Sequence, residues 1–401
     1  MNNKGQKVVV LGVSSSIAAY KAANLASMLR KRGYDVHAIM TKNATQFISP
    51  LVFETLTNNV CVVDQFSRTG NYEVEHVALA KMADVVLIAP ATANVIAKLA
   101  NGIADDALTT QVLACTCKKL VAPAMNTNMY LNPITQDNLK KLESYGFEVI
   151  TPASGLLACR DVGIGKLPDE SLLADFVDRE IARDHDLVGK KVVVTAGATR
   201  ESIDPVRFIT NHSSGKMGFA IAKEYMLRGA DVTLVAAANT QPKLNFVNTI
   251  SVQSAEDMFN AVTKEAENAD IIIKAAAVAD YTPTSTADNK IKKKDGDMKI
   301  ELKRTKDILA YLGEHKKENQ FLCGFSMETE NLVENSSAKL KKKNADMIVA
   351  NNLKVEGAGF GVDTNVVTLI TKEGAKELPI MTKAEVASAL ADEIKRLQDN
   401  A

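Results

Sequence analysis

The chain has 401 residues, a length that suggests two to three domains of about 150 residues each. Hydrophobic residues make up 46% and charged residues 24%, a globular balance that excludes a disordered or fibrous protein. Basic and acidic residues both number 48, so no net charge points to nucleic acid or an anionic membrane as a partner. The five cysteines form no C-x-x-C pair, the apolar runs are too short to span a bilayer, and the first residues lead directly into a strand pattern. We therefore expect a soluble, cytoplasmic protein.

The first half alternates predicted strands with predicted helices. An apolar strand pattern is followed by a turn of three serines, Ser14, Ser15 and Ser16, and then by apolar residues at helical spacing. The strands are predicted at residues 7–13, 35–40, 84–90, 119–124 and 147–150, and the first helix at residues 17–32. Continuous apolar strands that alternate with helices indicate a parallel sheet covered on both faces.

The same pattern restarts at residue 189, after a charged helix predicted over residues 169–186. Strands are predicted at residues 190–197, 231–236 and 270–275, with a helix at residues 216–228. We therefore predict an α/β protein of two doubly wound, Rossmann-like domains, with residues 1–189 in the first and 190–401 in the second.

Ligands of open α/β sheets bind outside the carboxyl ends of the strands, so the loops after strands are the candidate sites. Neither half contains G-x-G-x-x-G, and Met217 stands where a Walker A motif requires Ser or Thr. The three serines can hold a phosphate at a helix N-terminus or simply cap the helix. Residues 290–306 hold eight Lys/Arg against three Asp/Glu, which fits either an anion site or a solvated basic face.

Several loops of the first half resemble those of the flavoprotein family of cysteine decarboxylases. The segment at residues 89–94 is similar to the flavin-binding segment of that family. Residues 123–130 resemble its P-x-M-N-x-x-M-W substrate motif, with Tyr130 in the tryptophan place. Cys159 matches the cysteine of the flap that covers the substrate, where Arg160 replaces a glycine that reaches positive φ at lower cost.

This resemblance implies a flavodoxin-like domain that binds FMN and decarboxylates 4′-phosphopantothenoylcysteine to 4′-phosphopantetheine through a thioaldehyde and an enethiolate. It implies that His76 handles protons near the flavin, that Asn126 binds the substrate carboxylate, and that Cys159 donates the last proton. The implied FMN contacts are Gly12, Ser14, Ser15, Ser16, Thr41, Ala91, Thr92, Ala93 and Asn94.

The second half closely resembles phosphopantothenate–cysteine ligases at residues 195–201, 204–211, 213–218, 275–281 and 290–293. The resemblance implies that CTP activates 4′-phosphopantothenate as an acyl-cytidylate, which then reacts with cysteine. Lys290 would stabilise charge on the activated carboxyl, Asn211 would turn over the acyl-cytidylate, and Arg207 would bind substrate together with Asn211. Mg²⁺ would be held mainly by the triphosphate. The implied CTP contacts are Ala275, Ala276, Asp280, Lys290, Lys306, Asp307, Ile308, Leu309, Phe325, Lys339 and Lys343.

The order of the two halves is similar to that of the bifunctional bacterial enzymes of coenzyme A biosynthesis. That resemblance implies small-molecule substrates and a homo-oligomer, with trimers through the flavin domain, dimers through the ligase domain and hence a dodecamer. Nucleic acid is not expected, because the basic runs lack interleaved aromatic residues. Two alternatives remain open: a flavin-dependent decarboxylase of peptide C-terminal cysteines with an unrelated second domain, and a non-catalytic flavin-binding regulatory subunit.

Overall fold

A computed structural model of the chain describes residues 5–66, 75–158, 160–292, 298–328, 330–352 and 361–400. The chain forms two compact units, Met1–Arg183 and Asp184–Ala401. No helix within the described ranges is both long enough and apolar enough to cross a membrane.

Strands and helices alternate through the first unit. They are β1 Val8–Val13, α1 Ala19–Lys31, β2 Asp35–Met40, a 3₁₀ helix Lys42–Gln46, α2 Pro50–Thr57, α3 Glu75–Met82, β3 Val85–Ala91, α4 Ala93–Ala100, α5 Ala107–Ala114, β4 Lys118–Pro123, α6 Thr127–Leu131, α7 Pro133–Ser144, β5 Glu148–Val149, β6 Ala153–Leu156, β7 Val162–Lys166 and α8 Glu170–Ile181.

The main sheet of the first unit is parallel, with the strand order β2-β1-β3-β4-β5. Its central strand β3 is buried along its whole length because helices cover both faces of the sheet. This is the flavodoxin-like order, in which FMN binds where the order reverses, between β1 and β3. Beside the sheet, β6 and β7 form an antiparallel hairpin.

The second unit repeats the alternation with additional short strands. Its elements are β8 Lys191–Ala196, β9 Arg200–Ser202, β10 Phe208–Thr210, α9 Lys216–Leu227, β11 Asp231–Ala236, β12 Asn248–Ser251, α10 Ala255–Ala266, β13 Ile271–Lys274, β14 Tyr281–Pro283, β15 Leu302–Arg304, α11 Ile308–His315, β16 Phe321–Glu328, α12 Leu332–Lys342, β17 Met347–Asn352, β18 Thr364–Asn365, β19 Val367–Thr371, β20 Gly374–Glu377, β21 Met381–Thr382 and α13 Lys383–Asp399.

The main sheet of the second unit has eight strands in the order β12-β11-β8-β13-β16-β17-β19-β20. The first six are parallel, and β19 and β20 add an antiparallel edge. Numbered along the chain, the parallel strands run 3-2-1-4-5-6, the Rossmann order, which reverses between β8 and β13. The prediction of two doubly wound α/β sheets is therefore confirmed.

Candidate active sites

The reversal point of the first sheet is held together by the side chain of Ser14. This residue is fully buried, and its Oγ donates to Pro90 O at 2.8 Å while it accepts from Thr92 N at 2.9 Å. The hydroxyl thus joins the loop after β1 to the loop after β3. Ser15 and Ser16 are half-buried at the start of α1, which no side chain caps; Ser16 Oγ accepts from Ala18 N at 3.3 Å.

Three buried threonine hydroxyls at the carboxyl edge of this sheet have no hydrogen-bond partner among the described residues. Thr41 Oγ1 follows β2, Thr92 Oγ1 follows β3, and Thr127 Oγ1 lies beyond β4. Buried polar groups in folded proteins are almost always paired, so unpaired hydroxyls at a binding edge of the sheet point to a polar ligand. Thr41 and Thr92 were predicted to contact FMN, whereas Thr127 was not.

The other predicted FMN contacts occupy different positions at this edge. Gly12 lies inside β1, where an added Cβ would come within 2.6 Å of Leu108 Cδ1, so the packing of α5 against the strand favours glycine there. Ala91 is buried at the end of β3, Ala93 begins α4, and Asn94 is exposed.

The predicted substrate residue Asn126 lies at the N-terminus of α6, where its Oδ1 accepts from Asn128 N at 2.8 Å. The preceding residue is tied to the hairpin, because Met125 N donates to Gly165 O at 3.0 Å. An added Cβ at Gly165 would come within 2.2 Å of Met125 O, so the glycine permits this close approach. The hairpin β6–β7 therefore packs directly against the predicted substrate segment.

The tip of this hairpin contains the predicted flap. Leu157 N donates to Asp161 O at 2.9 Å, and Arg160 has a φ of 69°. Arg160 thus adopts the left-handed conformation that the resemblance assigns to glycine, at a cost of roughly 1–2 kcal/mol. Cys159 lies outside the described residues. His76 is the second residue of α3, and its side chain also lies outside the described part.

The reversal point of the second sheet has a comparable construction. Thr195 is fully buried near the end of β8, and its Oγ1 accepts from Ala276 N, beyond β13, at 3.0 Å. Gly218 in α9 allows the helix to approach the strand, because an added Cβ would lie 2.6 Å from Ala196 Cβ. Two adjoining cavities open at this edge of the sheet.

The first of these, the basic cavity, has a volume of about 400 Å³. Its charged lining consists of Lys274, Arg304, Lys306, Lys339 and Lys343 against Asp280 and Asp307. Five cations against two carboxylates suit a ligand with several negative charges. Eight of the predicted CTP contacts line it: Asp280, Lys306, Asp307, Ile308, Leu309, Phe325, Lys339 and Lys343.

The N-terminus of α11, where the predicted CTP contacts Asp307, Ile308 and Leu309 lie, is partly occupied by a side chain of the protein. Asp307 caps the helix by accepting from Ala310 N at 2.9 Å, and Lys343 pairs with the same carboxylate. Burial raises the pKa of Asp307, but the bond from Lys343 and the helix N–H outweigh it, so the pKa is lowered.

The second cavity, the glycine-turn cavity, has a volume of about 330 Å³ and lies beside the turn at residues 213–218. It shares Lys274, Asp280, Phe325 and Lys339 with the basic cavity. Ala275 and Ala276, two of the three remaining predicted nucleotide contacts, line this cavity together with Asn211, whose Nδ2 donates to Ala277 O at 3.2 Å.

Two predicted residues do not reach either cavity in this structure. Lys290 is exposed and absent from both linings. Arg207 is likewise absent from both, because its guanidinium binds the Asp204 carboxylate at 2.6 and 3.0 Å and Ile291 O at 3.1 Å. Hydrogen bonds from Arg207 hold the pKa of the buried Asp204 well below its usual range. The Asp204–Arg207 pair therefore anchors the segment that follows Lys290.

Lys274 is one of the cavity residues that were not predicted. It ends β13 after three isoleucines and lines both cavities. Burial, assisted by the nearby Lys339, lowers the pKa of Lys274 to about 8. A lysine that ends an otherwise apolar, buried strand was the signal in the sequence. Among the described residues, no group of three or more His, Cys, Asp or Glu side chains is placed to hold a metal ion.

The two sheet orders, the orphaned hydroxyls of the first unit and the basic cavity of the second define a chain that joins a flavodoxin-like unit to a Rossmann-like unit. Comparison with known proteins agrees with this class. A family model described as Flavoprotein matches residues 1–182. A model described as DNA/pantothenate metabolism flavoprotein C-terminal domain matches residues 187–397.

Full-length relatives identify the family. The coenzyme A biosynthesis bifunctional protein CoaBC of Bacillus subtilis (strain 168) is 47% identical over 402 residues, covering 99% of this chain and 98% of the relative. A cysteine/cysteine sulfinic acid decarboxylase of an unknown prokaryotic organism is 45% identical over 356 residues, 87% of this chain and 99% of that protein. The crystal structure of the C-terminal domain of a CoaBC protein has 43% identity and a TM-score of 0.47, and it covers 54% of this chain and 100% of that domain. The chain belongs to the family of coenzyme A biosynthesis bifunctional proteins.

Proposed function

We propose that this chain carries out two consecutive steps of coenzyme A biosynthesis. The second unit, predicted as residues 190–401, joins 4′-phosphopantothenate to cysteine at the expense of CTP. The first unit, predicted as residues 1–189, decarboxylates the product, 4′-phosphopantothenoylcysteine, to 4′-phosphopantetheine with FMN. The observation that carries the ligase proposal is the basic cavity beyond the carboxyl ends of β13 and β16, where most of the predicted CTP contacts meet.

The first ligase step needs cations because negative charge accumulates on the phosphoryl oxygens. A carboxylate oxygen of 4′-phosphopantothenate attacks the α-phosphorus of CTP, a new O–P bond forms, and pyrophosphate leaves with the electrons of the broken P–O bond. Lys306, Lys339 and Lys343 line the cavity in which this charge would develop. Mg²⁺ would be bound mainly through the phosphates and water, as that ion prefers.

Lys290 requires an additional movement in this proposal. Its side chain is exposed and outside the cavity lining, while the next residue is anchored, Ile291 N donating to Asp204 Oδ2 at 3.1 Å. Lys290 therefore acts only if its side chain turns toward the basic cavity when the substrates bind.

In the second ligase step the amine nitrogen of cysteine attacks the acyl carbon. A C–N bond forms, the C–O bond to CMP breaks, and the two protons that the ammonium loses pass to water. Asn211 is suited to orient the acyl-cytidylate because it lines the adjoining cavity and its amide is fixed on Ala277 O.

The first unit fits a flavin because the orphaned hydroxyls of Thr41 and Thr92 lie at the edge where this fold binds FMN. FMN, when bound, supplies a reversible two-electron oxidation that makes loss of CO₂ from the cysteine moiety possible. Asn126 binds and orients the substrate carboxylate, and His76 and Cys159 move protons. We further propose a homo-oligomer, built from trimers of the flavin unit and dimers of the ligase unit, which light scattering of the purified protein would test.

Product analysis tests the whole proposal. The purified protein, incubated with 4′-phosphopantothenate, cysteine, CTP and Mg²⁺, should form 4′-phosphopantetheine, CMP, pyrophosphate and CO₂. Decarboxylation of peptides ending in cysteine, or of free cysteine without CTP, would favour a decarboxylase of another substrate. A protein that binds FMN but forms no product would fit a regulatory subunit.

Flavin binding is tested separately from activity. The purified protein should be yellow, with one FMN per chain. If protein reconstituted with excess FMN shows no flavin absorbance after gel filtration, the proposed role of the first unit is wrong.

Two variants separate the ligase steps. Lys290→Gln should lose pyrophosphate release, whereas Asn211→Asp should release pyrophosphate but accumulate acyl-cytidylate, as seen by mass spectrometry of quenched reactions with and without cysteine. Lys292→Gln replaces another exposed lysine of the same segment and is the matched control for Lys290→Gln. The opposite pattern would reverse the two assignments, and FMN content should be unchanged in all three variants.

A further inference from the structure

A cavity of about 500 Å³ lies at the amino-terminal edge of the first sheet, away from the flavin edge of the same unit. Its walls come from the end of α4, from α5, from the start of β4 and from the end of α7. We call it the amino-edge cavity. The whole length of β4 separates it from Asn126 and the flavin edge, so a molecule in this cavity does not displace FMN.

The walls of the amino-edge cavity are mostly apolar. Ala100 and Val112 are buried, whereas Leu113 and Tyr145 are 63% and 61% exposed. Ligand pockets are typically concave and mostly apolar, with volumes of about 300–1,000 Å³ and a few polar groups that fix the orientation of the ligand. The amino-edge cavity has this composition, and its walls suit a hydrocarbon or aromatic body.

In the part of the chain that the structure describes, the only charged residues in the lining are Lys119 and Lys141. Lys119 Nζ donates to Cys117 O at 3.3 Å and lies 5.5 Å from the centre of the Phe147 ring. Lys141 Nζ donates to Asn101 Oδ1 at 2.9 Å. Because an ammonium group has three donors, each lysine can donate to a ligand as well as to these neutral acceptors.

The acidic residues around the amino-edge cavity do not neutralise its two lysines. Asp105 and Asp106 precede α5, and both carboxylates are bound by Lys98, at 2.6 and 3.1 Å. The two acidic residues of α7, Asp137 and Glu143, are exposed. All four carboxylates lie outside the lining. The cavity therefore combines apolar walls with a positive charge that no described carboxylate in its lining balances.

We propose that the amino-edge cavity binds a small amphipathic carboxylic acid. Its apolar body would pack against Val112 and Phe147, and its carboxylate would accept from Lys119 and Lys141. A carboxylate suits this place because its two oxygens can accept from two ammonium groups at once. Inorganic phosphate would leave the apolar walls uncovered, and a neutral hydrocarbon would leave both ammonium groups without an anion. The site depends on neither of the two proposed activities.

The test is a calorimetric titration of the full-length, FMN-loaded protein with octanoate, 1-octanol and octylamine, which differ only in the head group. Octanoate should bind with a Kd between about 10 µM and 1 mM, the range expected for a ligand of about ten non-hydrogen atoms. The alcohol and the amine should bind at least about tenfold more weakly, because they cannot accept charge-assisted hydrogen bonds from both lysines. FMN should remain bound at saturation with octanoate.

Five variants locate the binding. Lys119→Gln and Lys141→Gln should each raise the Kd for octanoate about 5-fold to 50-fold, because one charge-assisted hydrogen bond is lost. Lys118→Gln and Lys140→Gln are the matched controls, since these exposed lysines are the sequence neighbours of the first two and lie outside the lining; the Kd should stay within about twofold. Leu113→Glu, at the exposed rim, should weaken octanoate binding and favour octylamine. An unchanged FMN content shows that each variant is folded.

Equal affinities for octanoate and 1-octanol, or an unchanged Kd in both Lys119→Gln and Lys141→Gln, would overturn the proposal. Tighter binding of a peptide with two C-terminal leucines would also overturn it, because the cavity would then be a docking site for a protein C-terminus. Dissociation of the Lys141→Gln protein into smaller species, measured by light scattering, would show that a second copy of the chain covers the cavity and would likewise refute the proposal. Octanoate binding with the expected pattern supports the proposal whether or not the protein forms 4′-phosphopantetheine, so a failure of the proposed function is detected separately.

Discussion

The replacement Ser14→Ala tests whether a single hydroxyl holds the flavin edge of the first unit together. Ser14 Oγ makes two hydrogen bonds in a fully buried position, at 2.8 Å to Pro90 O and 2.9 Å from Thr92 N. After the replacement Pro90 O keeps the bond from Ser14 N at 3.2 Å, but Thr92 N loses its side-chain acceptor. Two bonds at about 1 kcal/mol each, together with the cost of an unpaired donor, give a loss of about 2–3 kcal/mol.

For a unit of this size such a loss lowers the melting temperature by roughly 4–12 °C. The assay is thermal unfolding of flavin-free protein followed by circular dichroism, in which the transition that shifts on addition of FMN belongs to the first unit. Thr92 carries one of the orphaned hydroxyls, so displacement of its loop should also weaken FMN binding, by roughly tenfold for each 1.4 kcal/mol lost.

Ser16→Ala is the control for this prediction. Ser16 Oγ accepts only one long bond, 3.3 Å from Ala18 N, at a half-buried position. Its replacement should change stability by less than about 0.5 kcal/mol. If the Ser14→Ala and Ser16→Ala proteins have the same melting temperature and bind FMN equally well, the hydroxyl of Ser14 does not join the two loops in the way we describe.

Three more predictions concern the proposed thiol Cys159, the half-buried Lys274 and the contact between α9 and β8. Cys159→Ser should release CO₂ but leave an unreduced enethiol product and reduced flavin, because a hydroxyl is a far weaker acid than a thiol; normal 4′-phosphopantetheine formation would exclude Cys159 from the mechanism. Burial lowers the pKa of Lys274 from 10.5 to about 8, so the folded protein binds fewer protons than the unfolded chain between these values and its stability rises with pH there. CTP binding at pH 8.5 should therefore take up a proton, measured by calorimetry in buffers of different ionisation enthalpy, and Lys274→Met should lose that uptake. Gly218→Ala should destabilise the second unit and abolish ligation while FMN binding persists, since the new Cβ would meet Ala196 Cβ at 2.6 Å; normal ligase activity would contradict the close helix–strand contact.

The central strands of both sheets were predictable because they are predominantly apolar. The strand expected at residues 270–275 is β13, Ile271–Lys274, and its neighbour expected at 190–197 is β8, Lys191–Ala196. Buried parallel strands give this pattern since both faces are covered by helices. The pattern also predicts which loops follow strands, and hence that the segment after β13 lies at a binding edge.

The direction of a charged side chain was not predictable from the same pattern. Lys290 and Arg304 both belong to the basic run at residues 290–306, yet only Arg304 lines the basic cavity. The difference arises from pairing. Arg304 is placed by β15, which pairs with β14 at Tyr281, whereas Lys290 precedes a segment anchored on Asp204. The number of charged residues in the run shows neither the β14–β15 pairing nor the anchor on Asp204.

Single polar residues inside apolar strands were hidden for a related reason. Asn351 follows four apolar residues in β17, and nothing in that sequence distinguishes it from an ordinary polar residue. It lines a cavity because of how the neighbouring strands and α9 are arranged around it. Arg160 shows the opposite case. The resemblance drew attention to the lost glycine, and the structure shows that the backbone keeps the left-handed φ of 69° despite the side chain. The fold therefore determines the conformation of this turn more strongly than the local preference of arginine does.

In both units the same hydrogen-bond arrangement lies at the point where the strand order reverses. In each, a fully buried hydroxyl near the end of the first strand, Ser14 or Thr195, accepts a backbone N–H from the loop after the strand across the reversal point. A hydroxyl is needed because each loop leaves the sheet there, so the N–H of Thr92 or Ala276 has no further strand to pair with. Once that N–H is satisfied inside the protein, the loop can turn away and open a space for a ligand without leaving a buried donor unpaired. The flavin edge and the glycine-turn cavity thus share one local solution to the hydrogen bonding of a sheet whose strand order reverses.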